Sequence, residues 1–239
     1  MNPAVSRRLT AEFTGTGLLV AIVVGSGIAA TNLTADAALR LLINSLVTAM
    51  GLAVLILVFM PAGGAQFNPV VTGADWLLGR KTERRYGIGQ TVGVIGCQIS
   101  GAIAGAALAD AMFGHAVLSP SGRHRAGAPL LLGEVVATAG LLMVIVTLAR
   151  TGRIQHASWA VGAWIGAAYW STSSTAFANP AVTIGRSLTS TYAGIAPSSV
   201  LAFIAAQIVG GALGTLLAVS VHPVQLATTS TDPQVQLTG

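Results

Sequence analysis

Two stretches of the chain contain no Asp, Glu, Lys or Arg and have a length that ordinary membrane crossings do not explain. They cover residues 41–74, which is 34 residues, and residues 154–185, which is 32 residues. A helix needs about 20 residues to cross the hydrocarbon core of a bilayer. Each stretch therefore fits one complete crossing plus about half of another. In both stretches the shorter part begins at an Asn-Pro step.

The two Asn-Pro steps, Asn68-Pro69 and Asn179-Pro180, predict helix starts inside the membrane. Asn is a preferred N-cap, and Pro suits the first position of a helix. A helix start at membrane depth exposes backbone N–H groups, which are tolerated only where they face a water-filled cavity or protein partners. We therefore expect two half-helices that enter from opposite faces, meet near the middle of the membrane and form part of a pore. The predicted half-helices cover about 69–79 and 180–189.

Composition places the rest of the chain in the membrane as well. Hydrophobic residues make up 53% of the 239 residues and charged residues only 8%, against about 25% charged residues in soluble proteins. We predict an all-α membrane protein in which residues 1–222 form a single domain and the Thr-, Gln- and Pro-rich residues 223–239 form a disordered tail. The predicted complete crossings are 9–30, 40–60, 88–110, 130–149, 157–177 and 199–220.

The two halves of the chain repeat one design. Glu12 and Glu134 each begin a Glu-x-x-small-Thr-small segment, and Gln98 and Gln207 each begin a Gln-x-x-Gly-x-x-x-Gly segment. The order Glu, Asn-Pro, Gln thus occurs twice. Because each repeat has three complete crossings, an odd number, the second repeat starts on the opposite side of the membrane and is inverted. The repeats cover about 9–110 and about 130–220.

Positive charges predict the orientation. With the N-terminus inside the cell, eight Arg and Lys residues lie in inner segments and four in outer ones. This excess favours a multi-pass protein of the plasma (inner) membrane with both termini in the cytoplasm. The basic net charge therefore requires no nucleic-acid partner. The inner residues are Arg7, Arg8, Arg80, Lys81, Arg84, Arg85, Arg150 and Arg153, and the outer ones are Arg40, Arg123, Arg125 and Arg186.

Six crossings in two inverted halves, each with an Asn-Pro half-helix and a Glu-bearing first helix, resemble the aquaporin and glycerol-facilitator family, the major intrinsic proteins. The resemblance covers nearly the whole chain. It implies a homotetramer in membrane lipid, with one pore per subunit for small neutral solutes, and neither a cofactor nor a metal. The pore motifs that it assigns are Asn68-Pro69-Val70 and Asn179-Pro180-Ala181.

The resemblance also assigns supporting roles to residues around the motifs. The segments that lead into the half-helices are expected to line the pore with carbonyl oxygens. Glu12 and Glu134 are expected to accept hydrogen bonds from these segments rather than to relay protons. Gln98 and Gln207 are expected to bond between helices. The residues of the two carbonyl ladders are Gly63, Gly64, Ala65 and Gln66 in the first repeat and Ser174 and Thr175 in the second.

The resemblance further implies that four positions, counted from the motifs, form the narrowest constriction: Thr48, Ala167, Ala176 and Val182. Water-selective members of the family usually place an aromatic residue, a His and an Arg among these positions. The small residues found here predict a wider and less polar opening that admits glycerol or undissociated arsenite, As(OH)₃, as well as water. The Asn-Pro-Ala-Val sequence is similar to that of a bacterial branch linked to arsenic resistance. Arg186, one helical turn later, is expected to face the outer vestibule or a partner.

Three alternatives compete with this interpretation. A water-selective aquaporin shares the same framework. A secondary transporter with inverted repeats would share the broken helices, and its proton coupling would have to use Glu12 and Glu134. An enzyme is disfavoured because the sequence has no paired metal-ligand spacing, nucleophile elbow or phosphate-binding loop.

Overall fold

The computed structural model describes residues 3–79 and 87–223. The predicted inner cluster of basic residues at 80–85 and residues 224–239 of the predicted tail lie outside the described residues. Within those limits the protein contains eight α-helices, one short 3-10 turn at Ile154–His156 and no strand, which confirms the all-α prediction. The helices are α1 Pro3–Leu33, α2 Ala37–Gly63, α3 Pro69–Gly79, α4 Ile88–Met112, α5 Ala128–Arg150, α6 Ala157–Ser171, α7 Pro180–Arg186 and α8 Pro197–Val221.

Five of the described helices are long and apolar enough to cross a membrane: α1, α2, α4, α5 and α8. Helix α6 is shorter, at 15 residues, so the predicted crossing at 157–177 ends six residues early. Its C-terminus is rich in Ser and Thr, whose hydroxyls compete for backbone hydrogen bonds. Thr172 takes an extended backbone conformation, and its hydroxyl donates to the Ala168 carbonyl. Residues 172–179 therefore form a turn followed by an irregular loop that leads to α7.

The packing of the helices follows the sequence repeat. Helix α1 packs mainly on α4, and α5 packs mainly on α8. A Cβ atom added at Gly101 or Gly105 of α4 would overlap a backbone carbonyl of α1, and one at Gly210 or Gly214 of α8 would overlap a carbonyl of α5. Glycine is therefore required at these positions, because the backbones of each helix pair touch.

The half-helices lie between the two repeats. Helix α3 contacts α4 of its own repeat and α8 of the other, while α7 contacts α8 of its own repeat and α4 of the other. The observed start of α3 is the one predicted. Helix α7 ends at Arg186 rather than near residue 189. Directly after this end, the Ser187 hydroxyl donates to the Ile184 carbonyl, and the chain enters the loop before α8. The last helices of the two repeats, α4 and α8, thus hold both half-helices at the centre of the molecule.

Candidate functional site

The two Asn side chains cap the half-helices and bind each other's repeat. The Asn68 side-chain oxygen accepts the N–H of Val70 at 3.0 Å, and that of Asn179 accepts the N–H groups of Ala181 at 3.0 Å and Val182 at 3.3 Å. The Asn68 amide donates to the Ala178 carbonyl at 2.8 Å. The Asn179 amide donates to the Phe67 carbonyl at 2.7 Å. Each Asn therefore anchors the loop that precedes the other Asn, and the two half-helix starts meet.

The loop before each Asn has the same strained backbone in both repeats. The residues one and three positions before Asn68, Phe67 and Ala65, have φ angles of 50° and 48°. The corresponding residues before Asn179, Ala178 and Ala176, have φ angles of 48° and 49°. A non-glycine residue in this left-handed region costs about 1–2 kcal/mol. Such strain persists only where the surroundings hold it, and it is typical of functional segments.

A buried carboxylate holds each strained loop. Both oxygens of Glu12 accept backbone N–H groups, from Gln66 and Phe67, each at 2.8 Å. Glu134 accepts the N–H groups of Phe177 and Ala178, each at 2.9 Å. Both carboxylates are completely buried. Because their oxygens bind two consecutive amides, they fix the direction in which the loop carbonyls point.

A Gln from the last helix of each repeat completes this support. The side-chain amide of Gln98 donates to Glu12 and to the hydroxyl of Thr72, both at 2.8 Å. The amide of Gln207 repeats this arrangement, with Glu134 at 2.6 Å and Thr183 at 2.8 Å as acceptors. Thr72 and Thr183 each lie four residues after the pore Asn of their repeat, a match that the sequence analysis missed although the spacing is visible in the sequence.

A cavity of about 830 Å³ runs along the half-helix starts. Both Asn side chains lie on its wall, so the amide hydrogens that do not bind the loops can reach a solute. Helix α2 lines it with residues four apart, Thr48, Leu52 and Ile56, and α6 lines it with Val161, Ile165 and Tyr169 in the same spacing. The lining therefore combines polar groups of the loops and half-helix starts with largely apolar side chains of the complete helices.

The predicted carbonyl ladders lie on the cavity only in part. Residues 63–66 line it as expected, and Phe67 continues the row. In the second repeat Ser174 and Thr175 are not on the cavity wall, and residues 176–178 line it instead. Ser174 supports the loop by accepting the N–H of Ala176 at 3.3 Å. In the second repeat the residues that line the cavity therefore lie nearer to Asn179 than the predicted Ser174 and Thr175.

Three of the four predicted constriction residues lie on the cavity wall: Thr48, Ala176 and Val182. The prediction for Ala167 is wrong, because its side chain is on the exposed side of α6. Tyr169, two residues later, lies on the cavity wall instead, with its hydroxyl 3.4 Å from the Thr48 hydroxyl. The spacing of four residues from Val161 to Tyr169 was the signal in the sequence that could have identified it.

Polar side chains mark both ends of the cavity. At the α3 end, the Arg8 guanidinium donates to the Gln66 side-chain oxygen at 3.1 Å, and the Gln66 amide donates to Asp75 at 2.8 Å. At the α7 end, Arg186 lies on the cavity wall. Among the described residues, no group of three His, Cys, Asp or Glu side chains could hold a metal ion.

Comparison with known proteins agrees with this geometry. The chain is 45% identical over 205 residues, 86% of its length, to "Aquaglyceroporin AqpS" of Rhizobium meliloti, of which the match covers 85%. It is 38% identical to "Aquaporin A" of Dictyostelium discoideum over 97 residues, which are 41% of this chain and 33% of that protein. The fold matches the crystal structure of the aquaglyceroporin from Plasmodium falciparum with a TM-score of 0.63 at 18% identity, over 90% of this chain and 94% of that one.

The family model for the major intrinsic proteins matches residues 1–170, about seven-tenths of the chain. The family consists of membrane channels rather than enzymes. The sequence match, the inverted pair of half-helices and the shared fold together show that this chain belongs to the major intrinsic protein family.

Proposed function

We propose that the protein is a passive channel for small neutral hydroxylated solutes, namely glycerol and undissociated arsenite, together with water. The observation that carries this proposal is the pair of Asn amides on the wall of one cavity that is also lined by a row of apolar side chains. The name of the Rhizobium meliloti relative, an aquaglyceroporin, supports a solute of this size.

A polyol needs both the polar and the apolar groups that line the cavity. Its hydroxyl groups lose water in a narrow pore and require new partners, which the loop carbonyls and the free amide hydrogens of Asn68 and Asn179 supply. Its carbon backbone packs against apolar residues of the lining such as Leu52 and Ile165. As(OH)₃ displays hydroxyl groups of similar size and number, so the same lining suits it.

We further propose that Thr48, Tyr169, Ala176 and Val182 form the constriction. These residues line the cavity, and the Thr48 and Tyr169 hydroxyls lie close together. Val182 follows the second motif directly at the position where water-selective relatives usually have an Arg. An apolar branched side chain there leaves room for a solute larger than water.

A permeability series in proteoliposomes tests the proposal. Stopped-flow light scattering should show passive glycerol flux that does not depend on a proton gradient. Arsenite uptake should likewise run down its concentration gradient, and the same inhibitors should reduce both fluxes. Val182→Arg should lower glycerol and arsenite flux at least tenfold, because the larger side chain fills the opening. Val182→Leu, a change of one methylene without charge, serves as the matched control. Unchanged flux through Val182→Arg at normal protein content would refute this constriction.

One observation favours a water-selective channel as the second candidate. Tyr169 is an aromatic side chain within the proposed constriction, which the sequence analysis expected to lack one. A narrower opening would pass water and reject glycerol, and the same series separates the two candidates. Uphill accumulation driven by a proton gradient would instead support a transporter that uses Glu12 and Glu134.

We also propose that the channel is a homotetramer in the lipid of the plasma membrane, with both termini in the cytoplasm. Large apolar side chains are exposed on the complete helices, for example Leu46 and Leu57 of α2 and Leu213 and Leu216 of α8. Such faces require lipid or a neighbouring subunit. Cross-linking in native membranes and protease accessibility of an added terminal tag test the assembly and the orientation.

A further inference from the structure

Arg186 lies four residues after Val182 on the last turn of α7, and both residues line the cavity. Residues four apart lie on the same face of a helix, about one turn from each other. Only 2% of the surface of Arg186 is exposed. A positive charge is therefore buried at the cavity wall, about one helical turn from the position where the constriction lacks it.

The Arg186 side chain is fixed by two contacts. Its Nε donates to the Ala193 carbonyl at 2.5 Å. The centre of its guanidinium lies 3.4 Å from the centroid of the Phe177 ring, a cation–π contact. Phe177 is itself held by Glu134 through its backbone N–H. The guanidinium is thus attached to the same loop that carries the second carbonyl ladder.

Glu134 attracts this charge electrostatically without forming an ion pair with it. Within residues 3–79 and 87–223, Arg186 forms no ion pair with an acidic side chain. A second arginine, Arg125 from the loop before α5, lies over the same ring at 4.9 Å. Its burial and the neighbouring Arg186 lower the pKa of Arg125 to about 9, which leaves Arg125 charged at neutral pH. A buried charge that forms no ion pair is costly in a membrane protein and marks a functional position by default.

We propose that Arg186 is a selectivity residue that supplies, from α7, the fixed positive charge absent at Val182. This inference rests on the proposed channel function. A cation at the α7 end of the cavity meets the guanidinium in surroundings of low dielectric constant, where repulsion is strong. A neutral solute meets no such barrier, and its hydroxyls can accept from the guanidinium N–H groups. The pore can therefore be wide at Val182 and still exclude cations.

The test uses the full-length channel in proteoliposomes with two measurements. Glycerol flux reports on folding and on the proposed function, while proton and potassium leak, measured with an internal pH dye under a set potassium gradient, reports on Arg186. We expect Arg186→Gln to raise the cation leak at least tenfold with glycerol flux within about twofold of the parent, a difference of about 0.4 kcal/mol. Arg186→Lys, which keeps the charge, should remain tight.

A matched control removes an arginine from the same end of the molecule but outside the cavity. Arg123 is exposed, and its guanidinium lies over Tyr192. Arg123→Gln should change neither flux. Arg186→Met provides a second neutral variant if Arg186→Gln fails to fold.

Two results would overturn the inference. The first is a neutral variant that transports glycerol and is as tight to cations as the parent. The second, which needs no variant, is a parent channel that itself leaks protons or potassium above protein-free vesicles. A parent that is tight to cations but impermeable to glycerol would contradict the proposed function and not the role of the charge.

Discussion

Glu134→Gln tests whether the buried carboxylate holds the second pore loop. The carboxylate accepts three hydrogen bonds, from the backbone of Phe177 and Ala178 and from Gln207. A Gln side chain keeps one acceptor oxygen and replaces the other by an NH₂ group, which cannot accept. At least one buried donor then has no acceptor, and this costs about 1–3 kcal/mol.

Because the loop is strained, the loss of this hydrogen bond should also lower transport. Thr175, Ala176 and Ala178 all have positive φ angles, of 63°, 49° and 48°. At about 1–2 kcal/mol for each left-handed residue, the loop stores about 3–6 kcal/mol. When a restraint of similar size is weakened, the loop can relax towards ordinary backbone angles, and its carbonyls turn away from the cavity. Glycerol flux should fall together with stability.

Thermal unfolding in detergent measures the first effect. For a chain of this size, 1 kcal/mol corresponds to about 2–4 °C, so the Tm of Glu134→Gln should drop by about 2–12 °C. Glu12→Gln, which changes the equivalent group of the first repeat, should behave alike. Asp36→Asn is the matched control, because it removes an exposed carboxylate that caps α2 and Asn caps equally well.

An unchanged Tm with normal glycerol flux in Glu134→Gln would refute the supporting role. If Glu134→Gln kept the Tm of the parent but lost glycerol flux only when a proton gradient is imposed, Glu134 would instead act as a proton relay.

Three further predictions concern packing, backbone strain and the constriction. Gly105→Ala should destabilise the protein by about 1–3 kcal/mol because its Cβ would overlap the Gly17 carbonyl. The control Gly96→Ala on the same helix meets nothing within 4 Å and should be neutral or stabilising. Thermal unfolding compares the stabilities of the two variants. Ala65→Gly should raise stability by about 0.5–1 kcal/mol, since glycine adopts its φ of 48° without strain, and a lower Tm would contradict this. Tyr169→Ala should increase flux of four- and five-carbon polyols, while Tyr169→Phe, which keeps the ring, should not; equal polyol selectivity in both would exclude Tyr169 from the constriction.

The helix starts and the repeat were predictable because they depend on local chemistry. An Asn-Pro step supplies both an N-cap and a suitable first helical residue, and α3 begins at the predicted residue. The order Glu, Asn-Pro, Gln reflects hydrogen bonds that the structure shows in both repeats. The spacing of Thr72 and Thr183 was equally visible in the sequence, but its meaning required the contacts of the two Gln residues.

The sequence alone determined that the chain crosses the membrane, that its halves are inverted repeats and that two Asn residues begin opposed half-helices. Only the tertiary structure decided which side chains face the cavity. A position counted from Asn179 across the segment 172–178 depends on where α6 stops, and Ala167 and Tyr169 lie about 200° apart around that helix. The direction of Arg186 is likewise set by Phe177 and Ala193, contacts that no local sequence pattern encodes. Spacing along the sequence determines where the helices start. The direction in which a side chain points depends on the rotation of its helix about the helix axis, and tertiary packing sets that rotation.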